Sequence, residues 1–275
     1  MNLSNTGLRL QLGALLAVAI FSPQISNATI VTFHTVRGDI EVNLYDNATP
    51  ATVANFLDYV NNGAYTSSVF HRSVAGFVIQ GGGFTFNLAL PLDTIPANPA
   101  VANEPEFSNV RGTIAMAKLQ SQPDSATTQW YFNLADNSAD LDGQNGGFTV
   151  FGEVIGDGMT VVDGIAALPI FNFDGAFAAL PLIDYTATDF ANQVAVEETH
   201  LVIINTIEVT DTNVDSAAGL NPPVNTGGQQ IPPAGPPPPP ANGGSGGGSL
   251  GYFGLFVLLL LRLVRPARAY RKNNR

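Results

Sequence analysis

FHRSVAGFVIQGGGF, residues 70–84, is the stretch on which the reading of this chain turns. It sets one arginine, Arg72, in a run that is otherwise apolar, glycine or uncharged polar. A long cation in such company is costly unless something needs it there. Between Thr29 and Ser249 the only basic residues are Arg37, Arg72, Arg111 and Lys118, while all 22 acidic residues of the chain fall in that span. Val69 to Val74 is β-prone, Ala75-Gly76 is a turn signal, and Phe77 to Gln80 is a second β-prone run closed by Gly81, Gly82 and Gly83. This spacing predicts a hairpin. Strand alternation places Phe70 and Arg72 on one face and His71 on the other, with Phe77 and Ile79 opposed to Val78 and Gln80. The triple glycine permits positive φ and close backbone approach.

Two further blocks stand in order behind this one: GTIAMAKLQSQPDSATTQWYFN from Gly112 to Asn133, and LDGQNGGFTVFGEVIGDGMTVVDGI from Leu141 to Ile165. The three together resemble the cyclophilin-type peptidyl-prolyl cis-trans isomerases over about Ile30 to Val209, most of all the bacterial exported members. The resemblance implies a mainly β fold, a closed antiparallel eight-stranded barrel capped by two α-helices, acting on X–Pro bonds.

The local patterns agree with that architecture. Ile30–Val36 and Ile40–Tyr45 alternate as strands around Arg37-Gly38-Asp39. Thr49-Pro50 reads as a helix N-cap followed by proline at the first helical position. Val53, Phe56, Leu57 and Val60 keep helical spacing, and Gly63 ends the helix. Gly112–Lys118, Gln129–Asn133, Phe148–Val154 and His200–Val209 read as strands, and Asp157–Leu168 as a second helix interrupted by Gly164. Many strands with two helices fit a closed barrel. Phe84–Glu106 reads as a long surface loop. Pro169–Glu198 carries no clear pattern; the resemblance implies a loop or insertion there, before the last strand.

The ends differ in kind from this 29–210 domain. Residues 1–28 combine Arg9, an apolar run from Leu12 to Phe21, and the small-residue site Ser26-Asn27-Ala28. This is the pattern of a secretory signal peptide cut after Ala28. Residues 211–249 are rich in proline and glycine, including Pro236–Pro240 and GGSGGGS, and read as a linker. In residues 250–275, the apolar run Leu250–Leu261 precedes Arg262, Arg265, Arg268, Arg271, Lys272 and Arg275. That order resembles the GlyGly-CTERM sorting signal of Gram-negative bacteria. It implies a transient or lasting membrane association and cleavage by a rhomboid-type protease, after signal peptidase has acted at the other end. The alternative is a permanent tail anchor. The expected address is outside the cytoplasm: periplasmic, membrane-associated, or at the cell surface or secreted. The absence of cysteine leaves stability to core packing alone. The acidic balance argues against nucleic acid, whose phosphates require a basic stripe.

An X–Pro bond rotates slowly because amide resonance opposes it with a barrier of about 18–20 kcal/mol. No bond is made or cut, so the reaction needs no nucleophile, metal or cofactor. It needs an apolar grip on the proline ring and a donor that favours the twisted amide, whose nitrogen regains a lone pair. The resemblance makes Arg72 that donor. It implies that Phe77 and Tyr131 wall the proline pocket, with Val78 and Leu141 adding apolar surface, that Phe148 is a further substrate-binding residue, and that Gln80 holds Arg72 and the substrate backbone. Ala117, Lys118 and Gln129 would line the peptide groove. Tyr131 stands where the family often has phenylalanine, Val78 where it has methionine, and Lys118 where asparagine is common. Asp140 and Phe148 replace a tryptophan and a histidine of many eukaryotic members. His34, His71 and His200 show no metal-ligand spacing, and Trp130 alternates away from Tyr131 into the expected core. The implied partners are unfolded or folding proline-containing polypeptides. Two functions follow: an isomerase of exported proteins, or a non-catalytic proline-peptide-binding or chaperone-like surface module.

Overall fold

A computed structural model of the chain describes residues 29–88, 90–212, 220 and 222–227. The leader (1–28) and the hydrophobic helix with its basic tail (250–275), as read from the sequence, lie outside the described residues, as does most of the linker. Among the described residues no helix is long and apolar enough to cross a membrane.

In chain order the elements are β1 (Ile30–Thr35), β2 (Gly38–Leu44), α1 (Pro50–Asn61), β3 (Ser68–Val69), β4 (Arg72–Val74), β5 (Val78–Gly81), β6 (Phe84–Thr85) and β7 (Asp93–Thr94). There follow β8 (Thr113–Met116), β9 (Trp130–Asn133), α2 (Ser138–Leu141), β10 (Val150–Val154), α3 (Gly158–Ala166), β11 (Ile170–Phe171), β12 (Leu180–Pro181), α4 (Ala187–Ala191) and β13 (Ile203–Asp211). The main sheet runs β4-β5-β9-β8-β10-β2-β1-β13-β3-β6-β7. β1 is central, paired with β2 on one side and with β13 on the other, from Ile30↔Asp211 to Thr35↔Ile204.

The expected closed eight-stranded barrel is not what forms: the sheet is an open half-barrel of eleven strands. The reason lies at Phe70-His71. β3 pairs with β13, yet β4, two residues on, pairs with β5 at the opposite end of the order. Between them Phe70 donates its N–H to the Val202 carbonyl and His71 donates to the Gln80 carbonyl. The chain changes partners there instead of holding both, so the sheet curls without a closing ladder. The same change of direction overturns the expectation that Phe70 and Arg72 share a face. Phe70 enters the main core, whereas Arg72 is half-buried on the outer face beside Gln80.

That core is aromatic. Trp130 is fully buried, its ring 5.0 Å from Phe33 and 5.6 Å from Phe70, both edge to face. Such pairs add to the transfer free energy of burying large rings. α1 closes the core with Val53, Phe56, Tyr59 and Val60. Its N-terminus departs from expectation: Thr49 makes no side-chain cap, and its hydroxyl turns to the Tyr45 carbonyl instead. Glu104 substitutes for it, accepting from the Ala51 and Thr52 N–H groups and the Thr52 hydroxyl. A carboxylate at the positive end of the helix satisfies orphan donors and the helix dipole together. α3 runs through Gly164 without the expected break, with Val162 and Ile165 packed inward.

The two segments hardest to read from the sequence are ordered. Residues 84–106 contain β6 and β7 and bury Leu92 and Ile95. Residues 169–198 have their own apolar cluster, in which Phe177, Leu180, Leu182, Tyr185 and Val196 pack with Val69 and Phe84. A capping box of Thr186 and Asp189 starts α4. The Ser73 N–H bonds the Ala179 carbonyl at 2.8 Å, which ties this segment to the strand that carries Arg72.

His71 sits where the two clusters meet, its ring 4.8 Å from Phe84. Burial drives its pKa from the usual 6.5 down to about 3. Between those values the unfolded chain binds a proton that the folded chain refuses, so this residue withdraws stability as pH falls from about 6.5 toward 3. The melting temperature of the wild type is therefore expected to drop across that window, with a shallower drop in His71→Gln. Equal slopes in the two proteins would show that His71 is not the titrating group.

Gly82 has φ 73°, and a Cβ built on it would lie 2.5 Å from Trp130 Nε1 and 2.6 Å from the Thr128 carbonyl. Gly82→Ala is expected to cost about 2–4 kcal/mol from backbone strain and overpacking combined. The denaturation midpoint reads this directly, and a midpoint near that of the wild type would refute it.

Candidate active site

Strand register builds the site. Arg72 pairs with Gln80, Gln80 with Tyr131, Tyr131 with Ala115, and Ala115 with Val150. These five residues from β4, β5, β9, β8 and β10 form one row across the sheet. Directly opposed residues share a face, so the guanidinium, the amide and the phenol ring project together. The neighbouring row, Ser73, Ile79, Phe132 and Ile114, faces the core.

Arg72 is braced. Its Nη1 donates to Gln80 Oε1 at 3.3 Å, and Gln80 Nε2 donates to Gln129 Oε1 at 2.7 Å. Desolvation lowers the pKa of Arg72 from the usual guanidinium value, but a guanidinium so far from its titration range stays charged. A partly desolvated cation has lost water that a substrate group can replace.

Next to this brace lies an apolar cluster of Val78, Ala115, Tyr131, Leu141 and Val150, with Phe77, Ala117 and Phe148 half-buried at its margin. The Phe148 ring meets Tyr131 edge to face at 6.2 Å. Phe77 leaves the turn after β4, and its carbonyl accepts from the Leu134 N–H and from Asn137 Nδ2. Phe77, Val78, Tyr131, Leu141 and Phe148 are thus brought together as the sequence reading expects, with Ala117 and Gln129 joined at the adjacent edge by the Ala117 N–H to Gln129 carbonyl bond.

Lys118 is placed differently from the rest. It is only 7 % exposed, and its ammonium donates to the Asn145 and Gly147 carbonyls while lying 4.8 Å from the centroid of the Phe148 ring. Burial lowers its pKa from 10.5 to about 8. Lys118 clamps the loop that presents Phe148, with its charge committed to that loop.

Sequence reasoning missed the polar floor beneath the pocket. Tyr131 donates its hydroxyl to Asn109 Oδ1 at 2.8 Å. Asn109 in turn gives both its N–H and its Nδ2 to Asp142 Oδ1, and Nδ2 also reaches the Phe148 carbonyl. This explains how tyrosine is accommodated where phenylalanine is common: its buried hydroxyl has an acceptor. Asp142 is consumed by this network, and Asp140 lies exposed on α2. The signal in the sequence was thin, because Asn109 stands 22 residues from Tyr131 in a segment without periodicity.

Comparison with known proteins fits this geometry. The family described as cyclophilin type peptidyl-prolyl cis-trans isomerase/CLD matches residues 30–183. The chain is 41% identical over 162 residues to peptidyl-prolyl cis-trans isomerase A of Dickeya dadantii, covering 57% of this chain and 82% of that protein. It is 43% identical over 142 residues to a peptidyl-prolyl cis-trans isomerase of Acinetobacter baylyi, covering 51% and 73%. With peptidyl-prolyl cis-trans isomerase B of Escherichia coli it shares 44% identity over 140 residues, covering 50% and 83%. A family match over more than half of the chain, on a fold that sets an arginine beside an apolar aromatic cluster, places this protein among the cyclophilin-type peptidyl-prolyl cis-trans isomerases.

Proposed function

We propose that this protein accelerates cis/trans rotation of X–Pro bonds in exported polypeptides, with Arg72 as the catalytic residue. The observation that carries the reading is the cross-strand row: it fixes a guanidinium at the rim of the apolar cluster that holds Phe77, Tyr131 and Phe148. The proline ring binds against those side chains. As the amide twists, its nitrogen becomes pyramidal and gains a lone pair, to which the guanidinium donates. The planar ground state offers no such acceptor, so the bond strengthens only on the way to the transition state. Gln80 and Gln129 keep the fork in position, which lowers the entropy cost of making that bond.

Removing one preorganised donor commonly costs about 10²–10³ in rate. Arg72→Ala is therefore expected to lower kcat/KM by about two orders of magnitude on an Ala-Pro peptide, with binding of the peptide weakened far less. Circular dichroism should show the fold retained, because the side chain lies outside the core. Equal rates in the two proteins would reject the catalytic assignment. A wild type that binds the peptide without accelerating it would be the proline-peptide-binding module instead.

Export is supported by the pattern of residues 1–28 and by the first described residue. The Thr29 N–H and hydroxyl both bond the Asp46 carboxylate, at 2.9 and 2.7 Å. Cutting after Ala28 would turn that amide into an ammonium already facing a carboxylate, and charge-assisted bonds are stronger than neutral ones. The glycine-rich stretch, hydrophobic run and basic tail beyond residue 240 support processing by a sorting protease after transient membrane insertion. Mass spectrometry of the protein isolated from cells is expected to find Thr29 as the amino terminus. A mature chain beginning at Met1 would remove cleavage after Ala28 from the proposal and leave residues 1–28 as an uncleaved anchor.

A further inference from the structure

Beyond β13, residues 222–227 lie against the segment that precedes β8. Val224 forms an antiparallel bridge with Phe107. The Ser108 N–H donates to the Pro223 carbonyl at 2.8 Å, and the Asn225 N–H donates to the Glu106 carbonyl at 2.9 Å. Ser108 Oγ donates to the Val224 carbonyl at 3.2 Å, and Asn225 Nδ2 donates to the Asp142 carbonyl at 3.1 Å. Leu220, half-buried, packs against the cluster of Tyr45, Val78, Ala115, Tyr131, Leu141 and Val150, the same cluster against which Phe77, Phe107 and Phe148 pack. Asp142 is the residue that also holds Asn109 under Tyr131, so the anchor of the run and the floor of the pocket share one support.

We propose that Leu220 and residues 222–227 act as an intramolecular competitor for the substrate cleft, with Leu220 covering apolar surface that a substrate proline requires. This rests on the isomerase reading above. An aliphatic side chain satisfies an apolar pocket much as a pyrrolidine ring does, but Leu220 brings no tertiary amide to Arg72, so it occupies without reacting. The run is tethered to the end of β13, which gives it a high effective concentration at the cleft, and even weak contacts then compete with a free peptide. Pro222 and Pro223 restrict its backbone before it docks and reduce the entropy lost on docking. Its outer side faces water, Val224 being 67 % exposed. The run is therefore held along one side only and can be lifted by a ligand that makes more contacts.

The test compares the full-length chain with its Leu220→Ala and Asn225→Ala variants on an Ala-Pro peptide, with amide hydrogen exchange followed at Ser108 and Asn225. Both variants are expected to lower KM by about three- to tenfold with kcat unchanged, the size of effect a weak tethered competitor exerts. Saturating peptide is expected to speed exchange at both amides in the wild type. An unchanged or raised KM in Leu220→Ala overturns the competitor role and leaves the isomerase standing. So does unchanged exchange at Ser108 and Asn225 under saturating peptide. Loss of isomerisation in all three proteins would overturn the isomerase reading itself, and the competitor with it.

Discussion

Side chains on a strand alternate, so a slip of one residue between β5 and β9 would send Gln80 inward and turn Ile79 out. The register of that pair is what the site depends on. It is pinned at Gly81 and Gly82, where the Trp130 ring lies so close that a Cβ at either position would approach within 2.6 Å. Trp130 is in turn fixed by edge-to-face contacts with Phe33 and Phe70. The aromatic core therefore does more than stabilise the sheet. It sets the register that lines up Arg72, Gln80 and Tyr131 on the opposite face, and a void or a clash at Trp130 would be felt at the guanidinium.

Several polar side chains at the site have their partners before a ligand arrives. Gln80 and Gln129 brace Arg72, Asn109 and Asp142 hold the Tyr131 hydroxyl, and loop carbonyls receive Lys118. A buried polar group that is partly satisfied is worse than an apolar one, and a fully satisfied network is rigid. A reaction that needs only positioning and one well-placed donor gains from that rigidity.

Much of this was legible in the residues. The hairpin around Ala75-Gly76, the strands of the three blocks, the helix from Pro50 and the gathering of Phe77, Val78, Tyr131 and Leu141 all follow from alternation, helical spacing and resemblance. What escaped depends on partners distant in sequence. Glu104 caps a helix 52 residues away, and Asn109 serves a tyrosine 22 residues away. Neither leaves a local pattern. Phe70-His71 reads as uninterrupted strand because its change of partner is imposed by the curl of the sheet. Residues 169–198 fold around aromatics whose spacing fits neither helix nor strand, and Val69, Phe84, Leu92, Leu201 and Ile203 from other segments complete their cluster.

The pairing of Ile30 with Asp211 brings the first and last strands of the sheet, in chain order, side by side. Opposed Cα atoms in an antiparallel pair are only about 5 Å apart. The polypeptide thus comes in and goes out through one doorway, like a loop drawn shut at its neck. Such a unit can be spliced into a surface turn of another protein without prying that host apart, and it can be cut and rejoined elsewhere with a short bridge across the old ends.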